Sequence, residues 1–249
     1  SAASQCVCAV LIVVSLLRSK ENIALRPHAL KVSADKARFV LRLGIPAGFQ
    51  NAIFAIANLF IQSGVNSFDA VTVEGNSAAA NSDALVYDVM NAFYMACSSF
   101  ISQNMGAKKK KRMLHSYFIS LAYSFGAGAV LGLSLVVFGR QFLSLFTKDA
   151  AVMEAGMARL RVMGFSYMVS AFMDNTIAAS RGLGKAMVPT VIVILGSCVF
   201  RVIWVYTIFA YFHTLSSLYL LYVFSWTITA IAEILYFVHS YRKLAATLS

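Results

Sequence analysis

The residues of this chain that could do chemistry are polar and charged side chains set inside long apolar stretches. Asp174 and Arg201 are the deepest of the charges. Asp174 precedes Arg181 by seven residues, roughly 10 Å along a helix, and Arg201 follows Pro189 by 12, roughly 18 Å along the next. At about 100° per residue, Asn51, Asn58, Gln62 and Asn66 share one helix face. Ser77, Asn81, Asp88, Asn91, Ser99 and Ser102 share a second face, with Asp83 off it, and Tyr222, Ser225, Thr229, Glu233 and Tyr236 share a third. An ionised group at the bilayer centre costs about 2.5–3.5 kcal/mol even on a lenient insertion scale, so such groups belong at helix–helix seams or around water. Both uses are open for any one stripe. Three stripes, two of them with an acid, favour a shared hydrated cavity that attracts cations. For Asp174 and Arg201 the alternatives are a structural ion pair and a proton or cation site at Asp174. The candidate substrate and ion pathway is therefore Asp174, Asn51, Asn58, Gln62, Asp88, Asn91, Glu233 and Arg201.

Nothing in the chain points to an enzyme. There is no HExxH, no GxSxG elbow and no Walker loop, and Gly182-Leu183-Gly184-Lys185 lacks the distal glycine spacing of a phosphate loop. Cys6, Cys8, Cys97 and Cys198 lie within apolar stretches at no metal-ligand or disulfide spacing, and read as small buried hydrophobes. The four histidines are scattered, so neither a catalytic residue, a metal site nor a cofactor is expected.

The elements that must position these groups are membrane spans. Of 249 residues 59% are hydrophobic and 12% charged, against about 25% charged in a soluble domain, and the mean hydropathy is +0.73. Six apolar segments, at 39–67, 77–106, 114–138, 155–180, 187–212 and 216–240, are each long enough for the roughly 20 residues of a spanning helix. The fold class expected is all-α, a polytopic transmembrane helix bundle. Pro46 within Gly44-Ile45-Pro46-Ala47-Gly48 marks either a kink or a first helical turn. The polar stretch from Asn76 to Asp83 reads as a helix start facing a cavity.

The net charge of +11 would suit nucleic acid, but its placement argues against that partner. Cations crowd the connectors 18–38, 107–113 and 181–186 and the tail, while the alternate connectors hold few. The run Lys108 to Arg112, five cations directly after an apolar segment, is the strongest case. This alternation predicts cytoplasmic first, third and fifth connectors and a cytoplasmic C-terminus. The organisation expected is the end of a truncated helix over 1–17, a cytoplasmic linker over 18–38, a six-helix lobe over 39–243 and a cytoplasmic tail over 244–249.

Three motifs stand at ordered positions: Leu43-Gly44-Ile45-Pro46-Ala47-Gly48, Gln103-Asn104-Met105-Gly106-Ala107, and Arg181-Gly182-Leu183-Gly184-Lys185 followed by Pro189. Together they resemble the multidrug and toxic compound extrusion (MATE) transporters, over about 37–243, in their second six-helix lobe. The resemblance implies a 12-helix exporter of two lobes that rock about a central cavity. Members couple efflux of amphipathic, often cationic compounds to entry of Na+ or H+. An acid on the fourth helix of this lobe is often important, and Asp174 matches it. An acid common on the first helix is absent: Gln50, Asn51, Asn58 and Gln62 stand there instead.

The reading is thus the C-terminal lobe of a multidrug antiporter in the plasma membrane, with no cofactor beyond a coupling ion, Na+ or H+. Its expected partners are organic cations, the lipid bilayer and an N-terminal lobe of the same protein. The alternatives are a flippase for a lipid-linked substrate and an inactive structural half.

Overall fold

A computed structural model describes residues 2–19, 24–26 and 33–247. Lys20, Pro27, His28 and Lys31 of the expected linker, and Leu248 and Ser249 of the expected tail, lie outside the described residues. Among the described residues all regular structure is helical. The helices are α1 (Ala2–Arg18), α2 (Ala34–Val65), α3 (Ala70–Gly106), α4 (Lys110–Leu143), α5 (Ala150–Gly182), α6 (Met187–Phe212) and α7 (Leu215–Thr247). The chain falls into two units, Ser1–Leu41 and Arg42–Ser249, with α2 crossing the boundary. In the first unit the chain after α1 turns back, with Leu25 N donating to Leu16 O at 3.0 Å.

Among the described residues five helices are long and apolar enough to cross a membrane: α2, α3, α4, α6 and α7. Their outward faces are apolar at helical spacing, as in Leu220, Phe224, Ile228, Ile231 and Leu235 of α7, all exposed. Such a face suits lipid, which has no need of polar partners.

The expected apolar segment 155–180 is the exception. It forms α5, 33 residues and about 50 Å long, but it is not among the helices apolar enough to cross a membrane. It is instead buried along most of its length, packed on α3, α4 and α7. Its polarity is tolerable because neighbouring helices sheathe it from lipid.

The sheath depends on glycine. A Cβ on Gly132 of α4 would run into the Gly164 carbonyl oxygen of α5, and one on Gly164 would lie 2.7 Å from the Gly132 carbonyl oxygen. On the other flank, a Cβ on Gly75 of α3 would come within 2.6 Å of Val152 O and 2.8 Å of Gly156 N in α5. Backbones pack this closely only where side chains are missing, the usual way helices associate in membranes.

Several boundaries differ from the sequence reading. The stretch from Asn76 to Asp83 is not a helix start; α3 begins at Ala70, capped by Asp69, whose carboxylate accepts from Thr72 N at 2.8 Å. Hydrogen bonds from Thr72 hold the Asp69 carboxyl below its ordinary pKa. Pro46 lies well inside α2 rather than in its first turn, so the Arg42 carbonyl loses its intrahelical donor. Helix α7 continues past Lys243 to Thr247. Cys97 and Cys198 are buried, but Cys6 and Cys8 are exposed, because no residue of α1 is buried. In α6, two π-helical segments, Ile194–Val199 and Val205–Phe209, flank a turn of α-helix that carries Arg201.

The α4–α5 seam gives a direct expectation. Gly132→Val should destabilise the detergent-solubilised chain by about 1–3 kcal/mol or more, the usual cost of overpacking. Gly126→Ala, on the same helix with open space at its Cβ, should not. Equal melting temperatures for the two variants would refute the seam.

Candidate functional site

Five helices of the second unit enclose a cavity of ≈ 450 Å³. Helix α2 lends Phe54, Asn58, Ile61, Gln62 and Val65; α3 lends Ala80, Asp83 and Tyr87. Arg159, Met163, Met173 and Asp174 come from α5, Arg201 from α6, and Tyr222 and Trp226 from α7. On α2, α3 and α7 the lining residues recur three, four or seven apart, as an inward face requires. Arg159 and Asp174 lie roughly 22 Å apart along α5, so the site is long.

At one end the charges are paired. Arg159 is buried, and its Nη2 donates to the Asp83 carboxylate, as does the Tyr167 hydroxyl. Arg159 Nη1 donates to Asn76 Oδ1 at 2.8 Å, which also accepts from the Tyr219 hydroxyl at 3.1 Å. Network members from α3, α5 and α7 thus share one set of bonds.

At the other end a cation is buried without an anion. Arg201 is 1% exposed. Its Nε donates to Ser225 Oγ at 3.3 Å and its Nη1 to Asn58 Oδ1 at 3.2 Å, while Nη2 has no partner. Three rings cover it, with its Cζ 4.9 Å from the Phe54 centroid, 4.8 Å from Tyr222 and 5.8 Å from Trp226. Ring quadrupoles attract such a cation, and more so when it is desolvated. Tyr222 is shared, since Arg159 stands 5.7 Å from the same ring.

The Asp174–Arg201 pairing offered by the sequence is not formed. Ion pairs among the described residues, within 4.0 Å, are Arg140–Glu154, Arg159–Asp83 and Arg161–Glu154. Asp174 faces the cavity with Oδ2 unpartnered, within electrostatic reach of Arg181 and Arg201. Below it, Gln50 Oε1 accepts from Arg181 Nη2 at 2.9 Å and from Thr190 Oγ1 at 3.3 Å.

Asn58, Gln62, Asp174 and Arg201 of the candidate pathway are therefore brought together. Glu233 is 0% exposed and outside the cavity lining, with both carboxylate oxygens unpartnered. Asn51, Asp88 and Asn91 are exposed and do not line the cavity. The reason is rotation of α3: Arg159 and Tyr167 capture Asp83, which turns Ala80, Asp83 and Tyr87 inward and the longer polar stripe outward. The α7 stripe does face inward, through Tyr222, Ser225 and Thr229.

Asp83 and Arg159 are the residues that sequence reasoning passed over. Asp83 lies off the longer polar stripe of α3, but its spacing to Ala80 and Tyr87 makes a second face. Arg159 is a charge nine residues inside α5, about 14 Å deep, which was signal enough. No group of three or more His, Cys, Asp or Glu among the described residues could hold a metal ion.

The bundle and its polar cavity define a multi-pass membrane protein built to keep charge away from lipid. The sequence model of the MatE family matches residues 46–207, well over half of the chain, and the chain belongs to that family. It is 24% identical over 163 residues to "Probable multidrug resistance protein YoeA" of Bacillus subtilis, covering 66% of this chain and 35% of that protein. It is 25% identical over 152 residues to "Probable multidrug resistance protein NorM" of Bacillus thuringiensis, covering 58% and 33%. The fold matches a MATE crystallised with MaL6 at TM-score 0.87 and 18% identity, over 97% of this chain and 55% of that one. A MOP superfamily transporter from Pyrococcus furiosus, described as having a binding pocket of reverse polarity that suggests a different function, matches at TM-score 0.83 and 19% identity, over 96% and 54%. The chain thus spans about a third of the length of these curated relatives and about half of these solved chains.

The paired end can be tested by stability. Asp83→Ala strands Arg159 and should cost roughly 3–5 kcal/mol, whereas the joint change Asp83→Leu with Arg159→Met should cost far less. Thermal unfolding in detergent measures both. Additive losses would mean that the two residues do not act as a pair.

Proposed function

We propose that the chain is the C-terminal lobe of a secondary active exporter of amphipathic, often cationic, organic compounds, driven by inward Na+ or H+. The observation that carries this is the cavity in which Asp174 presents an unpartnered carboxylate oxygen among aromatic walls. A volume of ≈ 450 Å³ falls in the range of small-molecule sites. Phe54, Tyr87, Tyr222 and Trp226 accept an apolar or aromatic body, and Met163 and Met173 adapt to its shape. The relatives named as probable multidrug resistance proteins support the efflux part of the reading.

Antiport follows from competition at one carboxylate. A coupling cation and a cationic compound cannot both neutralise Asp174, so entry of one favours departure of the other. Switching between the two needs elements with some give. Pro46 loosens α2, and the π segments on either side of Arg201 loosen α6. The exposed polar stripe of α3, with Asp88 and Asn91, would face the N-terminal lobe or the water between lobes, as would Asn51 on α2. Lys108 to Arg112 sets the cytoplasmic side, which puts the C-terminus in the cytoplasm of a plasma-membrane protein. The lining holds two arginines, Arg159 and Arg201, and two aspartates, Asp83 and Asp174, so by count the cavity has no excess of cations of the kind a flippase for anionic lipid-linked substrates would use.

In proteoliposomes carrying this lobe joined to an N-terminal lobe, Asp174→Asn should lower ion-driven dye efflux by roughly tenfold or more, as loss of a typical coupling energy would. Unchanged efflux with the same ion dependence would remove Asp174 from the mechanism. The 249-residue chain alone should give no coupled transport. Coupled transport by it would overturn the lobe reading in favour of a symmetric pair of copies.

A further inference from the structure

We propose that Glu233 of α7 is a proton-carrying carboxyl outside the cavity, coupled by charge to Asp174, so that a cationic compound binding at Asp174 expels a proton from Glu233. The inference rests on the export reading and places its exchanged proton on a second acid. Glu233 is 0% exposed, and both of its carboxylate oxygens lack partners. It lies ten residues before Lys243, roughly 15 Å in along α7. Hydroxyls one turn away on either side are already committed. On one side Thr229 Oγ1 is bonded to Ser197 Oγ at 2.9 Å and donates to Ser225 O at 2.7 Å. On the other, Phe237 stacks on Tyr117 of α4, whose hydroxyl is bonded to Thr176 Oγ1 at 2.9 Å. A carboxylate buried without donors is costly, and a proton removes its charge without needing further ligands.

The charges around Glu233 allow exchange. Helices α5 and α6 pack on α7. From α5, Arg181 and Asp174 stand within electrostatic reach of Glu233. Arg201, the ionised residue of α6, reaches Asp174 instead and lies against Tyr222 and Trp226, at least seven residues back along α7 from Glu233. Asp174 therefore has two arginines within reach and Glu233 has one, which the two acids share. Neither acid is within 4.0 Å of Arg181, whose Nη2 is held by Gln50 and whose Nε has no partner. With Asp174 bare, its negative charge and its claim on Arg181 both favour a protonated Glu233. A cation seated on Asp174 cancels that charge and leaves Arg181 to Glu233, which then gives its proton to water. One positive charge enters the site as another leaves it.

Tetraphenylphosphonium, a lipophilic cation, tests this when titrated into this lobe joined to an N-terminal lobe, in weakly buffered detergent at neutral pH with an indicator dye. The unmodified protein should release about one proton per cation bound. Glu233→Gln copies the protonated carboxyl, so it should melt at the same temperature and bind the cation as tightly while releasing almost no protons. Release that persists in Glu233→Gln overturns the inference and leaves the exchanged proton on Asp174. A melting temperature of Glu233→Gln well below that of the unmodified protein also overturns it, because an ionised Glu233 would then be supporting the fold through Arg181. Cation binding without proton release from the unmodified protein removes this inference and keeps the export reading, with Na+ as the coupling ion. Failure to bind the cation, with no dye efflux in proteoliposomes, removes both.

Discussion

Everything in this structure depends on keeping α5 out of lipid. The helix carries Arg159, Asp174 and Arg181 along its length, and none of these could face hydrocarbon. Helices α3, α4 and α7 close around it, and α3 and α4 come close enough because Gly75, Gly132, Gly156 and Gly164 leave no side chain in their seams with α5. The apolar residues of the outer helices then turn outward without conflict. The cavity exists because this sheath allows polar groups at membrane depth, where water and ions have few other places to reside.

Within the sheath the polar groups divide into an end dense in hydrogen bonds, although Arg159 Nε is left without a partner there, and an end where more atoms are left over. Around Arg159, the Asp83 carboxylate, Tyr167, Asn76 and Tyr219 form a connected network. Such a network rigidifies what it joins. Around Arg201 and Asp174, and on toward the end of α5, atoms are left over: Arg201 Nη2, Asp174 Oδ2, Ser180 Oγ, Arg181 Nε and both oxygens of Glu233. Buried polar atoms without partners are uncommon and need a reason. A site that must bind and release a solute or an ion supplies one, because a group satisfied within the protein has nothing left to offer a ligand.

The motifs that mark the family do a different task. Arg181-Gly182-Leu183-Gly184 ends α5: Gly182 lets α3 approach at Ser98 and Ile101, and Gly184, at φ +71°, receives the turn. Gln103 to Ala107 ends α3, with Ala107 N bonded to Gln103 O at 3.0 Å and Lys108 turned to a positive φ of 55°. Arg181 is the exception that touches the site, by holding Gln50 of α2 against α5. These residues set where helices stop and how they meet, while the cavity draws on residues outside the motifs.

Helix class, the number and order of long segments, and the presence of polar stripes were legible from the residues alone, because hydropathy and helical period are local properties. So was the membership of Asn58, Gln62, Asp174 and Arg201 in one polar site. The face that α3 turns inward was not legible. Both the Asp88 stripe and the Ala80-Asp83-Tyr87 face satisfy the period, and only Arg159 and Tyr167, about 80 residues away in the chain, choose between them. Nor could the residues show that Arg201 would stand apart from Asp174. The two π segments of α6 reset the register of that helix, and a shift of one residue turns a side chain by about 100°. Local sequence determined which groups would enter the membrane; the packing of distant helices decided which of them found partners there and which were left open.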